Sequence, residues 1–168
     1  MINEASKMTA TIRHAVKEDA DGITRTFLES AEHHASLDPE LYFVPEVEAI
    51  AARYKEGRQH PAEKRAESTT LVAELSDDII GFIDARLYQP TDAMHRQMIY
   101  CLISEIAVKG EHQNQGIGRQ LLRAAEDWGR RQGAEFAALE YHAANARAAA
   151  FYQRMHYRLA SITAIRRL

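Results

Sequence analysis

The 168-residue chain is 46% apolar and 27% charged, ordinary for one globular domain able to bury about 70% of its unfolded surface. A net charge of −3 gives no long-range pull on nucleic acid, and no apolar run reaches the ~20 residues of a membrane span. One cysteine, Cys101, excludes an internal disulfide, suits a reducing, cytoplasmic setting, and reads as a small core residue.

Residues 1–10 read as a flexible leader, with acidic Glu4 and no apolar signal-peptide segment, and residues 11–168 as a single domain. Residues 11–15 alternate as a short strand. A helix follows over 18–36, with Ala20, Ile23, Phe27, Ala31 and Ala35 on one stripe and Glu18, Asp19 and Asp21 in an acidic first turn. Asp38-Pro39 breaks it, and Pro45 takes the first position of a second helix striped by Val47, Ile50, Ala51 and Tyr54. Residues 57–66 are polar and form a loop. Strands over 69–75 and 79–88, joined through Ser76-Asp77-Asp78, make a hairpin. A turn over 89–96 leads to a long strand over 97–108.

The third helix, 116–132, buries Ile117, Leu121, Leu122, Ala125 and Trp128 and stops at Gly133. A strand over 134–142, a helix over 146–155 capped by Asn145, and an extended strand over 157–168 complete the order. A hairpin meander followed by two crossover helices specifies an α/β (mixed α+β) domain. It has a single central mixed β-sheet flanked by about four helices. The extended C-terminal strand offers an edge through which two copies can pair as a homodimer.

Chemistry concentrates at 101–118, CLISEIAVKGEHQNQGIG. An apolar strand breaks at Lys109-Gly110, and Gly116-Ile117-Gly118 opens the third helix. A helix N-terminus presents unpaired N–H groups and about half a positive charge, so this junction suits phosphate. The dinucleotide fingerprint fails because Leu121 stands where a third glycine is needed. The nucleoside-triphosphate loop fails because Arg119-Gln120 follows Gly118.

Gln113-Asn114-Gln115-Gly116-Ile117-Gly118 after Ile106-Ala107-Val108 resembles the acetyl-CoA pyrophosphate loop of the GNAT superfamily of N-acetyltransferases. Leu139-Glu140-Tyr141, Asn145 five residues after Glu140, a small-residue helix and Tyr152 seven residues after Asn145 match the family's next block in order and spacing. The resemblance is clear from about Thr69 onward. It implies a GNAT fold with a splay between the fourth and fifth strands, acetyl-CoA as cosubstrate, and a primary amine on a small molecule or peptide as acceptor. It calls for no metal. His33 and His34 diverge by about 100° on their helix, and no metal-binding spacing occurs.

By the same resemblance, Ile106, Ala107 and Val108 bond the pantetheine arm, and the amides of 113–119 hold the pyrophosphate with Arg119 adding charge. Arg123, one turn on, reads as solvated helix face. Asn145 both caps its helix and bonds the cofactor, and Tyr152 protonates the departing thiolate. A lysine-like amine of pKa ~10.4 is free base about once in 2,000 molecules at pH 7, so a base matters. Glu140 ranks first, because alternation sets Phe136, Ala138, Glu140 and His142 on one face and the resemblance extends to ribosomal-protein alanine acetyltransferases, where a glutamate is the base. Glu105 ranks second and a water chain third. Leu102 and Ser104 are poor bases, and a regular strand turns Glu105 to the opposite face from them. A non-catalytic CoA-binding or sensor domain, and a longer acyl-CoA, remain open. One departure stands out: His156 occupies the place of the family's glycine after the fourth helix.

Overall fold

The computed structural model describes residues 9–56, 68–91 and 93–167. The loop expected over 57–66 and most of the leader lie outside the described residues, but Ala10 already packs into the core. One sheet holds five strands in the order β1 (Thr11–His14), β2 (Ser68–Leu75), β3 (Asp78–Tyr88), β4 (Tyr100–Val108) and β5 (Phe136–Leu139). The first four are antiparallel, and β5 joins β4 in parallel. A two-residue turn closes the hairpin: Ser76 and Asp77 sit at φ 51° and 63°, the left-handed pair that a type I′ turn requires.

Helices α1 (Ala20–Leu37) and α2 (Val47–Lys55) cover one face, over a core of Ile23, Ile50, Tyr54, Val72, Phe82 and Ala107. Helices α3 (Ile117–Arg131) and α4 (Ala146–Arg154) lie on the other. There Leu121, Leu122, Ala125, Trp128 and Tyr152 meet Leu71, Ile83, Cys101 and Ile103. All five apolar positions expected along α3 are buried. β3 is buried on both faces, which explains its nearly unbroken apolar run.

Some expectations shift. β4 begins at Tyr100 and β5 ends at Leu139, both shorter than the apolar runs suggest. Pro45 precedes the N-cap Glu46 of α2 and so lies outside the helix. A turn of 3-10 helix at Lys17–Asp19 leads into α1. The strand expected over 157–168 does not form: residues 157–167 carry no regular secondary structure and pair with no strand among the described residues, because a strand needs a partner beside it.

An ion-pair cluster fixes the entry to α1. Arg13 donates to both Asp19 oxygens at 2.7 and 2.9 Å and to Glu74 at 2.5 Å, while the Val16 N–H donates to Asp19 at 2.8 Å. The Arg13 guanidinium holds the Asp19 carboxyl below the usual carboxylate range. A depressed folded pKa stabilises above the unfolded value of about 3.9 and is lost as pH falls through the folded value. Asp19→Asn is therefore expected to cost about 2 kcal/mol at pH 7. Urea unfolding of both proteins at stepped pH should show that gap shrinking below about pH 4.

Helices α3 and α4 end alike. Gly133 follows α3 at φ 87°, with Ala134 N–H donating to Gly129 O and Gly133 N–H to Arg130 O. After α4 the same bonds run from Tyr157 to Tyr152 (2.9 Å) and from His156 to Gln153 (3.0 Å), with His156 at φ 66°. The left-handed cap is kept despite the missing glycine. A side chain there costs about 1–2 kcal/mol, of which glycine's unfolded freedom returns part. His156→Gly should stabilise by about 0.5 kcal/mol, read as a rise of roughly 1–2 °C in Tm.

Candidate active site

Beyond Ile103 the sheet opens. β4 and β5 pair over four positions, from Tyr100 with Phe136 to Ile103 with Leu139, and β4 then continues to Val108 past the end of β5. At the same point β4 bulges: Ala85 pairs with Ile103 and Asp84 with Glu105, leaving Ser104 as the extra residue. The bulge reverses the alternation. Cys101 and Ile103 face α3, and so do Ile106 and Val108, whereas Ala107 packs beneath α1 and α2. Glu105 shares the face of Ala107 and therefore of Leu102. The regular strand assumed from sequence put Glu105 on the opposite face, and the inserted residue overturns that.

Where β4 ends, three elements converge. Lys109 pairs with Asp78 at 2.5 Å, and its N–H donates to Ile80 O. The Gly110 N–H donates to Glu29 at 3.0 Å, and the Gln113 side chain donates to Val108 O at 2.8 Å. Arg147 of α4 reaches Asn114 at 3.4 Å. The loop then turns through two left-handed residues, Asn114 (φ 62°) and Gly116 (φ 86°). Gly116 is the N-cap of α3, and no side chain caps the helix. A Cβ on Gly118 would lie 3.7 Å from Phe151 and 3.9 Å from Val108, so the first turn of α3 packs between α4 and β4. The N–H groups of Ile117, Gly118 and Arg119 thus begin a helix with no cap of its own at the mouth of the splay. Arg119 and Arg123 are both exposed.

Opposite this loop lies α4. The Asn145 side-chain oxygen accepts from Ala148 N–H at 2.9 Å, so the expected cap forms and the amide NH2 is the part left to reach a ligand. Tyr152 is buried, its ring 5.4 Å from Tyr141, 5.1 Å from Phe151 and 5.8 Å from Tyr157. Burial, then the nearby charge of Glu105, pushes its hydroxyl up to about 12. Glu105 is half-buried, whereas Glu140 lies exposed one residue beyond β5. Leu139 and Tyr141 pack toward α3, and His142 meets Asp38 at 3.2 Å and Tyr42 in the α1–α2 loop. Alternation puts Glu140 on the His142 side.

Three features escaped sequence reasoning. Asp84, 1% exposed, accepts from Tyr54 at 2.9 Å and Thr70 at 2.5 Å across from Glu105. A lone acid within the apolar run Ile79–Ala85 was its signal. The Asp38–His142 contact and the Arg147–Asn114 contact join residues far apart in the chain and left none. His34 bonds its own helix at Ser30 O, 2.8 Å away, and no group of three metal-ligating side chains occurs among the described residues. Cys101 is buried with its thiol raised to about 11 by desolvation, which keeps it protonated at neutral pH.

The model of the acetyltransferase (GNAT) family matches residues 28–157, more than three quarters of the chain. The chain belongs to the GNAT family. The splay, the uncapped α3 and Tyr152 all lie inside the matched span. Solved structures share the GNAT fold. A single-site mutant of the BH1408 protein from Bacillus halodurans is 24% identical with a TM-score of 0.83, covering 94% of this chain and 99% of that one. An aminoglycoside N-acetyltransferase, AAC(6')-Iy, in complex with CoA is 18% identical with a TM-score of 0.71, over 100% and 99%. A putative acetyl transferase from Pyrococcus furiosus is 21% identical with a TM-score of 0.69, over 95% and 99%. A search of curated proteins finds no match. No helix among the described residues is long and apolar enough to cross a membrane.

Proposed function

We propose that the protein transfers an acetyl group from acetyl-CoA directly to a primary amine. The observation that carries this reading is the uncapped N-terminus of α3, opening beside β4 where that strand leaves β5. Backbone amides there suit a pyrophosphate, with Arg119 adding charge at its edge. Ile106, Ala107 and Val108 would meet the pantetheine arm along the unpaired stretch of β4, and the Asn145 amide would steady it. The CoA held by the AAC(6')-Iy structure, on the same fold, supports the cosubstrate.

In this reading the amine nitrogen attacks the thioester carbon, the C–S bond breaks, and the amine proton passes to a carboxylate. Tyr152 donates a hydrogen bond to the departing sulfur. With the hydroxyl near 12 and a thiol near about 8.5, full proton transfer runs uphill by about 3.5 pKa units, so the bond stabilises thiolate more than it neutralises it. Glu105 gains on Glu140 as the base. Its charge acts on Tyr152 and it is half-buried, whereas Glu140 is exposed to water. Holding both reactants in one cleft supplies much of the rate.

Calorimetry with acetyl-CoA, using NAD and ATP as controls, tests the cosubstrate, and an amine screen by thiol release tests the reaction. Micromolar binding of acetyl-CoA alone is expected, and no binding by the folded protein sinks the proposal. Binding without turnover on any amine favours the non-catalytic domain. With an acceptor in hand, Tyr152→Phe should lower kcat by about 10–100-fold and leave the acetyl-CoA Kd unchanged. Glu105→Gln should lower kcat/KM by about 100-fold below the amine's pKa and Glu140→Gln by under about tenfold. The reverse order returns the role to Glu140.

A further inference from the structure

We infer that His142 and Asp38 are positioning residues for the acceptor amine: their hydrogen bond pins the α1–α2 loop to the chain beyond β5 and fixes the opening through which the amine reaches the thioester. The inference rests on the acetyl-transfer reading above. In that reading the cofactor takes the α3–α4 side of the gap between β4 and β5, so the amine must arrive from the side of α1 and α2. Two loops frame that side, 38–46 after α1 and 140–145 after β5. Asp38 and His142 stand 104 residues apart in the chain, and their contact at 3.2 Å joins the two loops.

Each partner is the hub of its own turn. Asp38 Oδ1 accepts from the Glu40 and Leu41 N–H groups at 3.1 and 3.3 Å, and the Asp38 carbonyl accepts from Tyr42 N–H at 3.0 Å, which leaves Oδ2 for His142. Across the opening, the His142 carbonyl accepts from Asn145 N–H at 2.8 Å and Nδ1 accepts from Ala144 N–H at 3.2 Å. A ring whose Nδ1 accepts carries its hydrogen on Nε2, so that hydrogen points at the Asp38 carboxylate. Tyr42 packs edge-on against the same ring, centroids 5.7 Å apart. With side-chain exposures of 18% for His142 and 25% for Asp38, the bond is shielded from water and outweighs a surface pair. The segment it holds lies past the last β4–β5 pair, where the ladder no longer positions the chain. That segment carries Glu140 on the His142 side, and Tyr141, whose ring lies 5.4 Å from Tyr152. Asn145 caps α4, so the turn pinned to Asp38 is also the turn from which the helix of Tyr152 starts.

The test uses the full chain, acetyl-CoA and an amine that the wild type acetylates in the thiol-release screen. Asp38→Asn keeps the shape of the side chain but removes a hydrogen-bond acceptor. It should raise the amine KM about tenfold, with kcat within about threefold and the acetyl-CoA Kd within about twofold. His142→Ala should do the same, and the double variant should be no worse than either single one, since both remove one bond. His142→Gln, whose amide can donate to Asp38, should recover most of the loss. An unchanged amine KM in Asp38→Asn and His142→Ala overturns the inference even where Tm falls, because a bond that only supports the fold moves Tm alone. Independent losses that multiply to about a hundredfold in the double variant overturn it as well. Should His142→Ala unfold, a tenfold rise in Asp38→Asn supports the inference and its absence overturns it. A wild type that acetylates no amine overturns the acetyl-transfer reading and this inference with it, whereas wild-type turnover beside unchanged variants overturns the inference alone.

Discussion

Gly116→Asp is expected to weaken acetyl-CoA binding by about a hundredfold or more, close to 3 kcal/mol. Gly116 stands at φ 86° as the N-cap of α3, and a Cβ there points into open space. An aspartate would set a carboxylate beside the amides of the first turn that the pyrophosphate is proposed to occupy. It would also put a negative charge where two phosphates must sit. The left-handed backbone charges any side chain about 1–2 kcal/mol, so Gly116→Ala separates strain from competition. Alanine should cost stability and leave affinity within about threefold, as it adds neither acceptor nor charge. Calorimetry on both variants decides. Unchanged binding by Gly116→Asp would mean that no phosphate sits on α3, and the acetyl-CoA proposal would fall with it.

Gly129→Ala should destabilise the fold by about 3 kcal/mol. A Cβ on Gly129 would lie 2.4 Å from the Cys101 Cβ and 2.7 Å from its sulfur. The first of those atoms is fixed to the backbone, so no rotamer change relieves the clash and α3 must lift from β4. Cys101→Ala keeps the offending Cβ and should rescue nothing, whereas Cys101→Gly removes it. Urea unfolding of the two double variants gives the test, since only the pair with glycine at 101 should recover stability. Lifting α3 also moves its N-terminus from the end of β4, so the small residue at 129 sets the height of the proposed phosphate site.

Local order was legible in the sequence and long-range geometry was not. The α3 stripe, the hairpin, the Asn145 cap and the Gly133 stop follow from periodicity and side-chain chemistry within a few residues. Even His156 without glycine adopts the left-handed cap, because two backbone bonds and the Tyr152–Tyr157 packing outweigh its strain. Strand ends were misjudged where apolar sequence outruns pairing: residues 140–142 lie past the last β4–β5 pair, Ile103 with Leu139. The strand expected over 157–168 failed for the same reason, having no neighbouring strand among the described residues. In the candidate site, the glycine-led start of α3 was readable from spacing, whereas Asp84 was not, its partners Tyr54 and Thr70 coming from other elements.

Ser104 adds one residue to β4 and thereby makes the strand serve two masters. Upstream of it odd-numbered side chains belong to the α3 core, and downstream even-numbered ones do. What the chain must preserve at this point is therefore a count. Deleting Ser104 would leave every other side chain chemically intact, yet it would turn Glu105 into the apolar layer and shift Ile106 and Val108 out of it. The resulting protein would hold a full set of acidic and apolar groups with each on the wrong side of the sheet. Length, more than identity, is the constraint on this segment, and a change of length here would be felt as a change of chemistry.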